Sequence, residues 1–320
     1  MSTTLTVLEG VHTDEVWNIS WSHDGSRLAS ASKDKTTYKE PQDVGYTPQF
    51  ILGDHPFAVN CLAWSPDDSA LVTSSNTYIK LWDSQTGLCT QTTEEHTETI
   101  TSLAWLVDGT GFFSGALDRK IILWDSAANK LFEVEGTGDI RILDLAIIPD
   151  SNQLIIAGME QKHERSSHQT SYVLRTFNMK TQKVESSTVV DHEICTVAIS
   201  RDSQFALYNQ NASIQLYDLQ THRVVGEYTG HLRTRHVIHS RFGGIADEFI
   251  ISGSEDGNVY IWHRNSGRPL EVLYGHGEGG VNCVSWNPQR PEKFASCSDD
   301  HTIRIWETSR RGLACDTGMG

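Results

Sequence analysis

Residues 251–306 read ISGSEDGNVYIWHRNSGRPLEVLYGHGEGGVNCVSWNPQRPEKFASCSDDHTIRIW, and one pattern occurs twice within this stretch. A strand of small residues is followed by an aspartate and, six positions later, by a tryptophan. Asp256 and Trp262 form the first pair, and Asp300 and Trp306 form the second. The dipeptides Gly230-His231 and Gly275-His276 open the two copies. A fixed spacing at a period of about 40 to 45 residues predicts stacked structural repeats.

The repeated residues resemble the WD-repeat signature, and the chain is therefore similar to WD40-repeat β-propellers. The resemblance implies that the Gly-His histidine, a strand serine or threonine, the turn aspartate and the strand tryptophan form one hydrogen-bonded network inside each blade. A buried polar network whose groups are all satisfied stabilises one unique core. We therefore expect structural roles for the following repeat residues: His12, Asp34, His96, Asp118, Trp124, His231, Asp256, Trp262, His276, Asp300 and Trp306.

The length of 320 residues suits seven blades of about 40 to 45 residues each. An aromatic residue of the third strand recurs along the chain at Trp82, Trp124, Phe177, Tyr217, Trp262 and Trp306. A seventh such residue is expected near position 40 and is missing. The prediction is an all-β, seven-bladed WD40 propeller over residues 1–307, followed by a disordered tail over residues 308–320. The last repeat stops after its third strand, so we expect residues 3–9 to pair there and close the ring.

Two segments depart from the repeat. In blade one, Glu40 stands where the tryptophan is expected and two prolines follow, so residues 33–52 predict a distorted or altered blade. In blade four, the polar insertion MEQKHERSSHQT at residues 159–170 predicts a mobile loop on one face.

Composition limits the classes of partner. The net charge of −15 disfavours binding to nucleic acid, which depends on clustered Lys and Arg. Neither a signal sequence nor an apolar run of about 18 residues is present, which predicts no membrane association. Six cysteines without CxxC spacing suggest thiols in a reducing compartment. The expected location is the cytoplasm, with the nucleus as a second compartment.

Apparent catalytic and metal motifs fail in their context. Residues 275–280 satisfy G-x-G-x-x-G, but an alternating strand follows them where a dinucleotide site needs a helix. The sequence positions of His236 and His239 differ by an odd number, so the two side chains would lie on opposite faces of a strand. No GxSxG nucleophile elbow is present. The sequence therefore predicts no enzyme, cofactor, metal or small-molecule substrate, and it favours protein partners.

Three longer segments narrow the resemblance. The segment HSRFGGIADEF beginning at His239, the segment VNCVSWNP beginning at Val281 and the opening HTDEVWNISWSHDG resemble the propeller of the WD-repeat subunit of the GID/CTLH ubiquitin ligase. The resemblance covers the propeller only, and the helical LisH and CTLH region of that family has no counterpart here. It implies a non-enzymatic module that recruits substrates or partners for degradation, with GID/CTLH ligase subunits among its own partners.

Other functions stay open at this point. A cullin-ligase substrate receptor commonly carries W-D-x-R after a third strand, and the strings WDSQ, WDSA, YDLQ, WHRN and WETS do not fit that pattern. Another alternative is a general WD-repeat scaffold in signalling or RNA processing, which would bind partners other than ligase subunits.

The resemblance also implies where partners dock. In WD-repeat propellers, the residue after the first apolar position of the first strand lies at the centre of the top face. These positions here are Trp17, Asn60, Thr101, Leu143, Cys195, Ile238 and Asn282. The residues directly before each turn aspartate should surround them, namely Lys33, Leu117, Glu255 and Asp299. Trp17 is either an anchor for a partner or a plug in the channel.

Overall fold

The computed structural model describes residues 2–41, 49–135, 139–164, 167–234 and 236–308, and the chain in these ranges is all-β. Its strands form seven four-stranded antiparallel sheets, which we call blades one to seven. In chain order after β1 (Ser2–Leu8), blade one contains β2 (Val16–Trp21), β3 (Arg27–Ser32), β4 (Thr37–Pro41) and β5 (Phe50–Leu52); blade two contains β6 (Cys61–Trp64), β7 (Ala70–Ser75), β8 (Tyr78–Asp83) and β9 (Cys89–Glu94); blade three contains β10 (Ile100–Trp105), β11 (Gly111–Ala116), β12 (Ile121–Asp125) and β13 (Lys130–Glu133).

The remaining blades follow the same order. Blade four contains β14 (Ile140–Ile148), β15 (Gln153–Glu164), β16 (Ser167–Asn178) and β17 (Lys183–Val190); blade five contains β18 (Ile194–Ile199), β19 (Phe205–Gln210), β20 (Ser213–Asp218) and β21 (Arg223–Thr229); blade six contains β22 (Ser240–Gly243), β23 (Phe249–Ser252), β24 (Val259–His263) and β25 (Pro269–Leu273); blade seven contains β26 (Val281–Trp286), β27 (Lys293–Ser298), β28 (Ile303–Thr308) and β1.

The first strand of every blade faces the centre of the molecule. Each of these strands contacts the first strand of the next blade, in the order β2, β6, β10, β14, β18, β22 and β26, and β26 contacts β2. Strand β1 pairs with β28 in antiparallel register, from Ser2 opposite Thr308 to Leu8 opposite Ile303. Apolar side chains fill the space between adjacent blades, and the cluster between blades seven and one joins Leu8 and Val16 to Cys297 and Ile305.

Blade one is more regular than the sequence predicts. Strand β4 pairs with β3 from Thr37 to Pro41, and it also pairs with β5. Pro41 lies at the end of β4, where a missing N–H is tolerated in a sheet. The expected distortion is therefore wrong for residues 33–41, and residues 42–48 lie outside the described ranges, as does the predicted tail from residue 309 onward.

The insertion in blade four is a β-ribbon where the sequence predicts a loop. Strands β15 and β16 pair through twelve residue couples, from Gln153 opposite Asn178 to Glu164 opposite Ser167. The polar composition is typical of a loop, but antiparallel pairing depends on backbone N–H and C=O groups and does not require apolar side chains. Residues 165 and 166 lie outside the described part of the chain.

Candidate protein-docking site

The innermost strands share an irregularity that directs side chains toward the central opening. A register shift separates Val16 from Asn18, Ile100 from Ser102, Ile142 from Asp144 and Val281 from Cys283. The residue within each shift is unpaired, as in a β-bulge, and bulges are known to re-aim a side chain beside a functional site. These bulged residues are four of the predicted top-face positions, namely Trp17, Thr101, Leu143 and Asn282.

A cavity of about 540 Å³ opens among these strands. Six of the seven predicted positions line it. The lining residues are Glu15, Trp17, Asn60, Cys61, Ile100, Thr101, Leu117, Leu143, Glu193, Ile194, Cys195, His236, Val237, His239 and Asn282. This size falls within the range of small ligand and peptide side-chain pockets.

In blade six the predicted position is wrong by one residue. Ile238 is fully buried, whereas Val237 is 55% exposed and lines the cavity. The cause is the segment before β22, in which buried Arg233 donates to the carbonyl oxygens of His236 and Asn211. Strand β22 begins only at Ser240, so the offset from the other blades does not apply here.

Trp17 is half-buried at one side of the cavity. Its indole Nε1 donates to Glu15 Oε2 at 3.0 Å, and Lys33 Nζ lies 2.7 Å from the other oxygen of that carboxylate. The hydrogen bond from Lys33 holds the pKa of Glu15 below its ordinary value, so the carboxylate stays ionised near neutral pH. The indole ring of Trp17 is thus oriented by the Glu15–Lys33 ion pair, and its position does not depend on packing alone.

The polar lining residues also tie neighbouring blades together. Thr101 Oγ1 donates to the carbonyl of Ile142 in blade four at 2.9 Å, and the Asn60 amide lies 3.4 Å from that of Ile100. Asn282 Nδ2 donates to the carbonyl of Val16 and to Asp299 Oδ1. Asn282 is only 4% exposed, so its amide donors hold blade seven against blade one.

The turn residues surround the opening at different distances. Leu117 lines the cavity itself. Lys33 and Asp299 reach it through Glu15 and Asn282, as described above. The Glu255 carboxylate accepts the backbone N–H groups of Thr234 and His236, which fixes the segment that carries Val237. The predicted rim residues therefore position the lining residues as well as border them.

A narrower cavity of about 110 Å³ lies deeper along the same axis, and the sequence did not single it out. Buried Asp144 accepts hydrogen bonds there from Ser102 Oγ in blade three and from the N–H of Val197 in blade five. Burial raises the pKa of Asp144, although these hydrogen bonds oppose the rise. The available signal was a single acidic residue inside the apolar run IRILDLAII.

The repeat network is present in blades three and seven as the resemblance implies. His96 Nδ1 lies 2.9 Å from Asp118 Oδ2, and its Nε2 lies 2.7 Å from Ser114 Oγ, which accepts from Trp124 Nε1 at 2.8 Å. In blade seven, the matching set is His276 with Asp300 at 3.0 Å, and Ser296 with His276 at 2.7 Å and with Trp306 at 2.8 Å.

Blade one has the histidine half of the network. His12 lies 2.9 Å from Asp34 and 2.8 Å from Ser30. Burial would raise the pKa of Asp34, but hydrogen bonds from His12, Thr36 and the Thr13 N–H outweigh it and hold that pKa well below the usual range. The Asp34 carboxylate is therefore ionised at neutral pH and in mild acid.

Blade two forms a related set that the sequence analysis missed. His55 Nε2 lies 2.9 Å from Thr73 Oγ1, which also accepts from Trp82 Nε1. The signal was obscured because Asp54 precedes this histidine in place of the usual glycine, and because Asn76 replaces the turn aspartate.

In blade six the predicted network is wrong, although His231, Asp256 and Trp262 are all present. Both ring nitrogens of buried His231 lack a hydrogen-bond partner within the described residues. Asp256 instead accepts from the hydroxyl of Tyr260 at 2.8 Å, and Trp262 Nε1 donates to the carbonyl of Thr229. Tyr260 thus competes with His231 for the Asp256 carboxylate. The residues at the matching positions of blades three and seven are Ile122 and Arg304, and neither carries a hydroxyl group that could donate to the aspartate.

This difference predicts an acid-sensitive position. Burial lowers the pKa of His231 to about 4 from an ordinary value of 6.5. The unfolded chain binds the proton first, so His231 lowers stability as the pH falls from about 6.5 to about 4, by up to about 3 kcal/mol. We expect His231→Phe to keep the stability at pH 7 and to weaken its loss toward pH 4, measured by thermal unfolding. His96→Phe, which breaks a formed network, should destabilise the chain already at pH 7, and an unchanged acid response of His231→Phe would contradict the assignment.

The described ranges contain no group of three or more His, Cys, Asp or Glu side chains arranged for a metal ion. The G-x-G-x-x-G string lies in the turn before strand β26, and the N–H of Gly277 donates to Asp300. The same ranges hold no helix that could cross a membrane.

Comparison with known proteins matches this chain to the WD40 family, described as WD domain, G-beta repeat, at residues 3–38, 46–83, 87–125, 223–263 and 267–307. The unmatched stretch contains blade four and most of blade five. Neither blade has a complete His–Asp pair in the described residues, and His192 of blade five is exposed.

Several relatives are similar to this chain over nearly all of its residues. A WD repeat-containing protein WDS homolog of Arabidopsis thaliana is 38% identical over 92% of this chain and 56% of its own length. A WD repeat-containing protein 26 homolog from the same plant is 35% identical over 97% of this chain and 51% of its own. GID complex subunit 7 of Schizosaccharomyces pombe is 37% identical over 92% of this chain and 57% of its own. The chain spans about half the length of these relatives.

Proposed function

Since the chain belongs to the WD40-repeat family, we propose that it is a non-enzymatic binding module that recruits a partner protein for a GID/CTLH-type ubiquitin ligase. The observation that carries the proposal is the central cavity, where side chains from every blade meet around Trp17 and Val237. An aromatic ring oriented by an ion pair in a concave site is a common anchor for a partner's side chain.

The ligase assignment rests on similarity to a relative. That relative is named as a subunit of the GID complex, and it aligns along almost all of this chain. We propose that the matching part does the same work here, in the cytoplasm or nucleus, and that ligase subunits are among its partners. The net charge of −15 favours basic or neutral partner segments over nucleic acid.

We also propose that the seven sheets act as one seven-bladed ring over residues 1–307, with β1 as the closing strand. The register of β1 on β28 and the Asn282 hydrogen bond to Val16 support this proposal. A rigid ring would keep the cavity residues at fixed distances from one another.

The test is affinity purification of the tagged chain from its own cells, with mass spectrometry of the proteins that co-purify. We expect ligase subunits together with client proteins. The double variant Trp17→Ala, Asn60→Ala should bind clients at least tenfold more weakly, because Trp17 is partly exposed and lines the cavity, so its loss removes contact area for a partner. The melting temperature should change little.

Leu131→Ala supplies a matched control, since Leu131 is an exposed apolar residue on strand β13 and does not line the cavity. It should retain the clients. Loss of the same clients from both variants, or from neither, would reject the cavity as the docking site. A stable set of partners without any ligase subunit would reject the ligase assignment while leaving the binding module intact.

A further inference from the structure

Blade four carries a free two-stranded extension beside the central opening. Strand β14 ends its pairing with β15 where Ile140 lies opposite Glu160. Strand β17 ends its pairing with β16 where Val190 lies opposite Tyr172. The β15–β16 pairing continues for four more couples beyond Glu160, from Gln161 opposite Thr170 to Glu164 opposite Ser167. We call residues 161–164 and 167–170 the ribbon.

The ribbon has two open edges. Among the described strands, none pairs with residues 161–164 on the side of β15 that faces away from β16. None pairs with residues 167–170 on the side of β16 that faces away from β15. Alternate residues on each edge therefore present unpaired N–H and C=O groups. An isolated two-stranded ribbon is only marginally stable in water, and a third strand would stabilise it.

The order of strands decides which edge faces the cavity. Blade four is ordered β14-β15-β16-β17, and β14 is innermost because it contacts β10 and β18 of the adjacent blades. The edge of β15 left open beyond Ile140 therefore faces the ring axis. Leu143 lies three residues along β14 from Ile140 and lines the cavity. The ribbon thus extends from the side of the ring on which the cavity opens.

We propose that the inner edge of the ribbon, Gln161–Glu164, receives an extended segment of the partner protein as an added β-strand, while one apolar side chain of that segment occupies the cavity. The inference rests on the proposed function. The distance from Leu143 to Glu164 is about seven residues at about 3.3 Å each, so a segment of about eight residues reaches both places. Backbone hydrogen bonds would supply affinity and the cavity would supply specificity.

The composition of the edge favours a foreign strand over a second copy of this chain. Residues 161–164 read Gln-Lys-His-Glu, and charged residues on an edge oppose pairing of two identical edges. A partner segment whose apolar anchor enters the cavity gains contacts that a second ribbon lacks.

The test uses peptides selected from a random 12-residue display library on the full chain. One selection is depleted on the Trp17→Ala, Asn60→Ala variant. The other is depleted on a shortened chain in which Asn-Gly replaces residues 161–170, joining Glu160 to Ser171. These two residues are direct cross-strand partners, so a two-residue turn fits between them. The shortened chain should keep the melting temperature of the full chain.

We expect selected peptides to bind the shortened chain and the cavity variant at least tenfold more weakly than the full chain. N-methylation at alternate positions of the peptide should weaken binding, and hydrogen exchange at residues 161–164 should slow when peptide is bound. Peptides that need the cavity yet bind the shortened chain with full affinity would overturn the ribbon proposal and leave the proposed function standing. Peptides that need the ribbon but not Trp17 would reject the cavity as the docking site, and with it the joint occupation of ribbon and cavity proposed here. Failure of both selections would overturn both proposals.

Discussion

Replacing Asp118 by alanine should lower the free energy of unfolding by about 3 kcal/mol and reduce the Tm by roughly 5 °C or more. The carboxylate is nearly buried and lies 2.9 Å from His96 Nδ1. It also accepts the backbone N–H groups of Thr97 and Lys120. Its removal leaves the buried His96 Nδ1 and two backbone N–H groups without this acceptor, and an unsatisfied buried group costs about 1 to 3 kcal/mol.

Asp256→Ala is the matched control because it removes the same repeat position from blade six. Asp256 has no hydrogen bond to His231, and its partners include Tyr260, Ser254 and the backbone of Asn258. We expect a loss below about 1.5 kcal/mol, measured like the first by thermal and urea unfolding. Equal losses in the two variants would show that the His–Asp pair contributes little to blade three.

These two aspartates also show how far the sequence predicts the repeat network. Both stand six residues before a tryptophan, so spacing alone assigns them the same role. The difference arises from Tyr260, whose hydroxyl reaches Asp256, and from Ser252, which accepts from Ser240 and donates to the carbonyl of Gly253. Competition among nearby hydroxyls depends on side-chain geometry, which a spacing pattern does not contain.

The central cavity was predictable to a similar extent. The family, confirmed by comparison, and the bulged position after the first apolar residue together locate Trp17, Thr101 and Leu143. The rule fails in blade six, where a longer segment held by Arg233 shifts the exposed side chain from Ile238 to Val237. It also misses Asp144, because hydrogen bonds from blades three and five to one side chain form only when the blades are assembled. The ribbon escaped prediction because its polar composition is equally typical of a loop.

Deletion of residues 1–8 should have the largest effect of all, a loss of about 5 kcal/mol or more together with self-association. Strand β1 supplies the outer ladder of blade seven, and Leu8 is buried in the cluster between blades seven and one. Without β1, the edge of β28 from Ile303 onward is open, and an open apolar edge pairs readily with other chains. Size-exclusion chromatography and thermal unfolding would measure both effects.

A peptide of residues 2–11 added to the deleted chain should restore the Tm in proportion to the logarithm of its concentration, because it binds only the folded ring. The same peptide with Leu8→Asp should fail, since Leu8 is 5% exposed in the intact chain and a carboxylate there would be buried without a partner. Removal of residues 309–320, which are the predicted tail apart from Thr308 of β28, is the matched truncation at the other end and should leave the Tm unchanged. A deleted chain that stays monomeric with the Tm of the full chain would mean that β28 needs no partner strand. The closure of the ring would then depend on Asn282 and the apolar cluster alone.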